Sequence, residues 1–239
     1  MPAVDKPLPG KNAGLLFANS KITKPDELST EAYTRWYEQV HIPDIFKTSG
    51  ISEASRWTAL DPKQERPFLA LYPIQDLDFL QSDEFKSIPV HDDNLPGSGA
   101  IFDLADFDTR YYKMVQLYER EKTNHEQPSF VIVFASTPAD DREYDAWYRE
   151  EHLQECEQIT GWRKTARYEL TFGRQNRKSQ AENGLGQPPK FLTLHYFDGE
   201  ALPTEELAKA GESERTKRNL GSLTSQEMAV FRKLSQYRK

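Results

Sequence analysis

The sequence predicts an α+β fold of two ferredoxin-like βαββαβ repeats packed within one chain. Three observations lead there. A block, Tyr33-Thr34-Arg35-Trp36-Tyr37-Glu38-Gln39-Val40-His41, returns as Tyr144-Asp145-Ala146-Trp147-Tyr148-Arg149-Glu150-Glu151-His152, and Gly50, Arg56 and Trp57 fall on Gly161, Arg167 and Tyr168 at the same offset of 111 positions. Around each block the pattern alternates between short apolar runs and amphipathic stretches, in the order strand, helix, strand, strand, helix, strand. The length, 239 residues, accommodates two units of about half that size.

Residues 1–13, with Pro2, Pro7 and Pro9, read as a flexible lead; the first repeat spans 14–123 and the second 124–239. The apolar runs at 15–18 and 131–135 are the first strands. A helix follows from Ser29 in one copy and Asp140 in the other, both good N-caps, with Glu143 completing a capping-box arrangement after Asp140. On an α-helix, spacings of three, four and seven or eight bring Tyr33, Trp36, Tyr37, Val40 and His41 to one face. Arg56-Trp57 and Arg167-Tyr168 mark the second strands, and the runs at 68–72 and 191–195 the third. Second helices are expected near 76–86 and 204–219, and last strands at 110–118 and 228–235. Pro96, Gly97 and Gly99 make 91–99 a loop, and Gly184, Gly186, Pro188 and Pro189 make 174–190 an exposed, mobile insertion. A four-stranded sheet with helices on one face needs a cover on the other, and a second such sheet supplies it.

Composition removes several function classes. The net charge is −7, which argues against nucleic-acid binding through clustered Lys and Arg. The basic C-terminal residues, Arg215 to Arg218 and Arg232 to Lys239, read as a solvated surface. One cysteine, Cys156, forms no intrachain disulfide, and no apolar run approaches the roughly 20 residues that span a bilayer. A cytoplasmic protein without a membrane partner is expected. There is no phosphate-cradling Gly-Lys loop and no Gly-x-Ser-x-Gly elbow. His152 and Cys156, four apart with Glu155 between, could offer two metal ligands from one helix face. The first copy has Ile45 at the matching position, so Cys156 reads as a buried apolar residue and no metal is expected.

The Trp-Tyr-x-x-x-His block, followed by Ile42-Pro43, a glycine and an Arg-aromatic strand, resembles the dimeric α+β-barrel superfamily, most closely its EthD-like branch. The resemblance covers both halves; the second copy departs from it at His152-Leu153-Gln154, which lacks the proline. It implies an intrachain pseudo-dimeric α+β barrel, with a pocket in each half between sheet and first helix. Chemistry in that superfamily ranges over cofactor-independent oxygenases, lyases, cyclases, isomerases and haem-handling enzymes. The reading is a cofactor-independent small-molecule enzyme of natural-product type, using His-assisted proton transfer on an aromatic or polyketide-like substrate in dehydration, decarboxylation, cyclisation or isomerisation. The alternatives are a cofactor-free or haem-linked monooxygenase and a non-catalytic binder of small hydrophobic ligands.

The residues carry roles in that reading. His41, and His152 in the second copy, is the proton shuttle or else a structural histidine bonding a backbone carbonyl. Asp44, three residues on, is its carboxylate neighbour, and Tyr37 a phenolic donor to a developing enolate. Tyr33, Trp36, Tyr144, Trp147 and Tyr148 line the substrate or the core. Arg56 and Arg167 hold a substrate carboxylate or pair with acids across the sheet. Exposed aromatics leave room for a homodimer.

Overall fold

The structure, a computed structural model, describes residues 2–120, 128–175 and 187–239. Its elements in chain order are β1 (Ala3–Asp5), β2 (Gly14–Ile22), α1 (Thr30–Trp36), α2 (Ile42–Phe46), β3 (Glu53–Ala59), β4 (Phe68–Ile74), α3 (Asp83–Lys86) and β5 (Ala105–Arg120). These are followed by β6 (Phe130–Thr137), α4 (Asp141–Trp147), α5 (Leu153–Glu157), β7 (Trp162–Gln175), β8 (Phe191–Phe197), α6 (Thr204–Lys209), α7 (Glu214–Gly221) and β9 (Ser225–Arg238). The mixture of strands and helices has the α+β class expected.

The chain forms two units. The first comprises Pro9–Lys113, Thr171–Gln187 and Leu234–Lys239, and the second Met1–Leu8, Met114–Leu170 and Pro188–Lys233. Three long strands, β5, β7 and β9, therefore each contribute residues to both. In the first unit the antiparallel order is β5-β2-β4-β3, with Leu16 opposite Tyr72 and Arg56 opposite Ala70. In the second it is β9-β6-β8-β7, with Ile132 opposite His195 and Arg167 opposite Thr193. Numbered within each βαββαβ run, both orders are 4-1-3-2, the ferredoxin-like arrangement. Strand periodicity builds the interior: along β5 buried and less buried residues alternate almost throughout.

The first helices start where their caps dictate. Ser29 accepts a hydrogen bond from Ala32 N, and Asp140 accepts from both Arg142 N and Glu143 N. Each helix is then pinned to its unit's first strand by a buried hydroxyl pair, Tyr33–Ser20 at 2.7 Å and Tyr144–Ser136 at 2.6 Å. Gly161 needs its missing Cβ twice over: its φ is +77°, and a Cβ there would lie 2.6 Å from Asp198 O.

Several expectations change. Residues 1–13 are not uniformly flexible, because Ala3–Asp5 pairs with Tyr118–Arg120. The helix expected at 76–86 is a 3₁₀ turn, Leu77–Gln81, and a short α3, divided where Ser82 turns extended and caps Phe85 N. The one expected at 204–219 is two helices, because Ser213 starts a new one by capping Thr216 N. The last strands lie where expected but run longer, Ala105–Arg120 and Ser225–Arg238. The loop at 91–99 is closed by an isolated antiparallel bridge between His91 and Ala100 and by turns in which Leu95 N donates to Asp92 O and Gly99 N to Pro96 O. Most of the insertion expected at 174–190 lies outside the described residues. Among the described residues no helix is long and apolar enough to cross a membrane.

Candidate active site

Both signature blocks contain a feature that amphipathic spacing does not announce. Between α1 and α2 the chain makes a π turn, Tyr37–His41, in which Ile42 N donates to Tyr37 O five residues back; Tyr148–His152 repeats it, with Leu153 N on Tyr148 O. The wider turn brings residues five apart onto one face. The ring of His41 stacks on Trp36, with centroids 4.6 Å apart and planes 13° from parallel, and His152 stacks on Trp147 at 4.5 Å and 23°. Tyr37 and Tyr148 meet the same histidines edge-on, at 5.3 Å and 5.2 Å. The face expected from α-helical spacing is thus realised through a different turn, and Val40 is only partly buried on it.

In the first unit this face opens onto a cavity of about 490 Å³. Its wall is mostly apolar: Leu16, Ala18, Trp36, Ile45, Leu80, Phe85, Ile88, Ile101, Phe102 and Phe107 contribute, with the rings of Tyr111 and the exposed Phe172 tilted against each other at 5.1 Å. Gln81, Lys86, Thr109 and Arg174 add polar groups to the lining. His41 has the Pro89 carbonyl as backbone partner, while its Nδ1 is shielded from water and has no hydrogen-bond partner among the described residues. The ring is therefore assigned as Nε2–H donating to Pro89, which leaves the Nδ1 lone pair free. Burial pushes His41 down to about 4, against the opposing pull of Pro89 and Asp44 and with the help of Arg56. At neutral pH it is an uncharged acceptor.

Asp44 does not hydrogen-bond that ring; it pairs with Lys47 at 2.6 Å and acts on His41 only through space. Tyr37 lines the cavity, and its hydroxyl, like that of Tyr33, is raised by burial and stays protonated. Tyr33 packs behind the wall, edge-on to Tyr37 at 5.2 Å. Arg56, 1% exposed, lies 3.6 Å above the Tyr37 ring, and none of its three guanidinium nitrogens has a hydrogen-bond partner among the described residues. It does not pair with an acid as expected. Tyr72 also lines the cavity, with its buried hydroxyl unpartnered among the described residues. Sequence reasoning placed Tyr72 in a strand without a role; the available signal was period 2, which sets it on the same face as Phe68 and Ala70.

The second unit repeats the scaffold with different polar groups. Arg167 stacks 4.0 Å over Tyr148, as Arg56 does over Tyr37, but also donates to Gln116 (2.6 Å) and Asp145 (2.9 Å). Thr34 occupies the position matching Asp145 in the first copy, which removes that partner. Tyr144 and Trp147 pack in the core, and Trp147 Nε1 donates to Thr216. His152 has Glu155 Oε2 at 3.4 Å from Nδ1 and Cys156 Sγ at 3.6 Å from Nε2. Burial alone would lower His152, yet Cys156 and Glu155 lift it to about 9; burial would raise the Cys156 thiol, but His152 and His195 bring it to about 6. His195, which the sequence reading left as a strand residue, is thus part of this cluster, with Nδ1 2.8 Å from Thr165 Oγ1.

Comparison with known proteins places the chain. No family model matches it. Among solved structures, an anthrone oxidase-like protein superposes with a TM-score of 0.59 at 11% identity, covering 99% of this chain and 96% of its own. A candidate monooxygenase from Fusobacterium nucleatum gives 0.55 at 8% identity, with 96% of each chain covered. A chlorite dismutase variant from Candidatus Nitrospira defluvii gives 0.56 at 10%, covering 93% and 91%. At these identities the likeness is one of α+β fold alone. In sequence, 211 residues align at 30% identity with Core atranone cluster (CAC) protein 1 of Stachybotrys chlorohalonatus, covering 84% of this chain and 87% of that protein. The chain therefore belongs to the family of Core atranone cluster protein 1.

Proposed function

We propose that the chain is a small-molecule enzyme working without a bound cofactor, in which His41 takes a proton from a carbon beside a carbonyl of a flat, hydrophobic, aromatic or polyketide-like substrate. The observation that carries this reading is the largely apolar cavity of about 490 Å³ with His41 among its lining residues, a histidine whose buried Nδ1 has no hydrogen-bond partner among the described residues. That volume lies within the ~300–1,000 Å³ typical of small-molecule sites. Trp36, Phe102 and Tyr111 offer faces for an aromatic substrate. The C–H bond breaks heterolytically: the proton passes to Nδ1 and the electron pair delocalises onto the carbonyl oxygen, which accepts a hydrogen bond from the Tyr72 or Tyr37 hydroxyl. The imidazolium then returns the proton, to the departing hydroxyl in dehydration, to the carbonyl oxygen attacked in ring closure, or to a different carbon in isomerisation. A histidine held near 4 is a weak base, so the reading favours carbon acids already acidified by flanking carbonyl or aryl groups.

A second fate for the same carbanion, attack on dioxygen, is favoured by the fold neighbours named as anthrone oxidase-like and as a candidate monooxygenase. The name of the sequence relative, which attaches it to an atranone cluster, agrees with natural-product chemistry in either case. We read the two halves as copies of one EthD-like ancestral unit in which the first keeps the working pocket. Purified protein is tested with anthrone and linear polyketide analogues beside a His41→Ala variant, while oxygen consumption is followed. Turnover lost in the variant supports the assignment; oxygen uptake selects the monooxygenase fate. Tight binding without turnover would make the protein a ligand carrier instead.

A further inference from the structure

We propose that the second unit binds one Zn²⁺ ion through His152 Nε2, Cys156 Sγ and His195 Nε2. The ligand atoms of these three residues lie within 4.8 Å of one another, two of them presented by the π turn and α5 and the third by β8. The Cys156 Sγ to His152 Nε2 separation is 3.6 Å. A tetrahedral zinc with its usual bond lengths, ~2.3 Å to sulfur and ~2.0–2.1 Å to nitrogen, sets such ligands about 3.6 Å apart. The opposite ring nitrogen of each histidine is already held, His152 Nδ1 by the Glu155 carboxylate and His195 Nδ1 by the Thr165 hydroxyl. Partners of this kind fix the tautomer that leaves Nε2 to the metal.

Comparison of the two halves separates this cluster from a generic histidine contact. In the first unit the position of Cys156 holds Ile45, that of His195 holds Tyr72 and that of Thr165 holds Ala54. The strand registers support the matching, since Arg56 opposite Ala70 corresponds to Arg167 opposite Thr193. Two ligands and an orienting hydroxyl therefore occur together in the second unit and are all missing from the first. The ion would fasten α5 to β8, and its binding would take His152 as neutral imidazole and Cys156 as thiolate, releasing the proton the two share. This inference is independent of the role proposed for His41.

Because the chain has a single cysteine, a thiolate-to-metal band can come only from this site. The full chain, stripped with a chelator, is titrated with Co²⁺ and then Zn²⁺, and retained zinc is measured after dialysis. The expected result is a thiolate-to-cobalt charge-transfer absorption that saturates at one equivalent, is bleached by Zn²⁺, and is absent in Cys156→Ser and His195→Ala. Thr165→Val should weaken Zn²⁺ binding by about 10–100-fold. It also keeps the test sharp should Cys156→Ser fail to fold. No charge-transfer band in the wild type, full zinc retention by Cys156→Ser, or unchanged affinity in Thr165→Val would each overturn the site.

Discussion

Burial sets the proton chemistry of His41. With its folded pKa near 4 against an ordinary 6.5, the unfolded chain takes up the proton first on acidification. Its contribution therefore makes stability fall as pH drops from about 6.5 to about 4 and leaves it flat above. Denaturant titrations across that window should show this slope in the wild type and not in His41→Gln. For the same reason kcat/KM should hold from neutral pH down to about 5 and fall only as pH approaches about 4; a fall centred near 6.5 would mean His41 is not the base. The paired arginines give a second contrast. Arg167→Met strands Gln116 and Asp145, but the Asp145 side chain is 45% exposed and keeps Arg149. A loss of about 2 kcal/mol is expected by thermal unfolding, short of the ~3–5 kcal/mol of a fully buried broken pair. Arg56→Met removes a buried charge with no hydrogen-bond partner among the described residues and should cost under about 1 kcal/mol. The signature residues were legible because aromatics and histidine at fixed offsets are rare. Tyr72 and His195 were not, because a strand residue's role depends on which helix packs over it.

The first helices were readable to their caps, since Ser29 and Asp140 carry the chemistry of helix starts. Asp140→Ala, which leaves Arg142 N and Glu143 N without their acceptor, should cost about 1 kcal/mol by chemical denaturation. The π turns were not readable, because a local insertion into a helix leaves the heptad-like pattern nearly intact. Yet the turn decides which residues face the cavity: the Trp36–His41 stack joins residues five apart. Deleting the exposed Gln39 should restore α-helical spacing and rotate His41 relative to Trp36. Loss of activity with unchanged helical circular dichroism is the expected outcome, and full activity would show that the turn is incidental. The region near 76–86 was misread for a related reason: its apolar residues suit a helix, but Ser82 interrupts it with an extended backbone.

At the scale of the whole chain, the block recurring at an offset of 111 positions and the alternation of apolar runs with amphipathic stretches pointed to two βαββαβ runs, while the strand order 4-1-3-2 emerges only from the sheet pairings. Periodicity is blind to where a strand changes unit, so the sharing of β5, β7 and β9 between the units was not legible. The first unit depends on the end of β9: Lys239 N donates to Ser52 O, Lys239 Nζ to Thr48 O, and Arg238 pairs with Glu53. Truncation after Lys233 should lower the melting temperature and raise hydrogen exchange in β3, while β6 and β8 stay protected.

The central claim, that His41 moves a proton in the first unit's cavity, is tested most directly by solvent-isotope exchange. Anthrone, or another substrate with an acidified C–H, is incubated with the protein in deuterium oxide under anaerobic conditions and followed by NMR. The measurement reads the proton-transfer step before any later fate of the carbanion. Deuterium should enter the acidic carbon at an enzyme-dependent rate that falls at least about 100-fold in His41→Ala, the scale of a lost general base. Exchange at the same rate in the wild type and in His41→Ala would contradict the account.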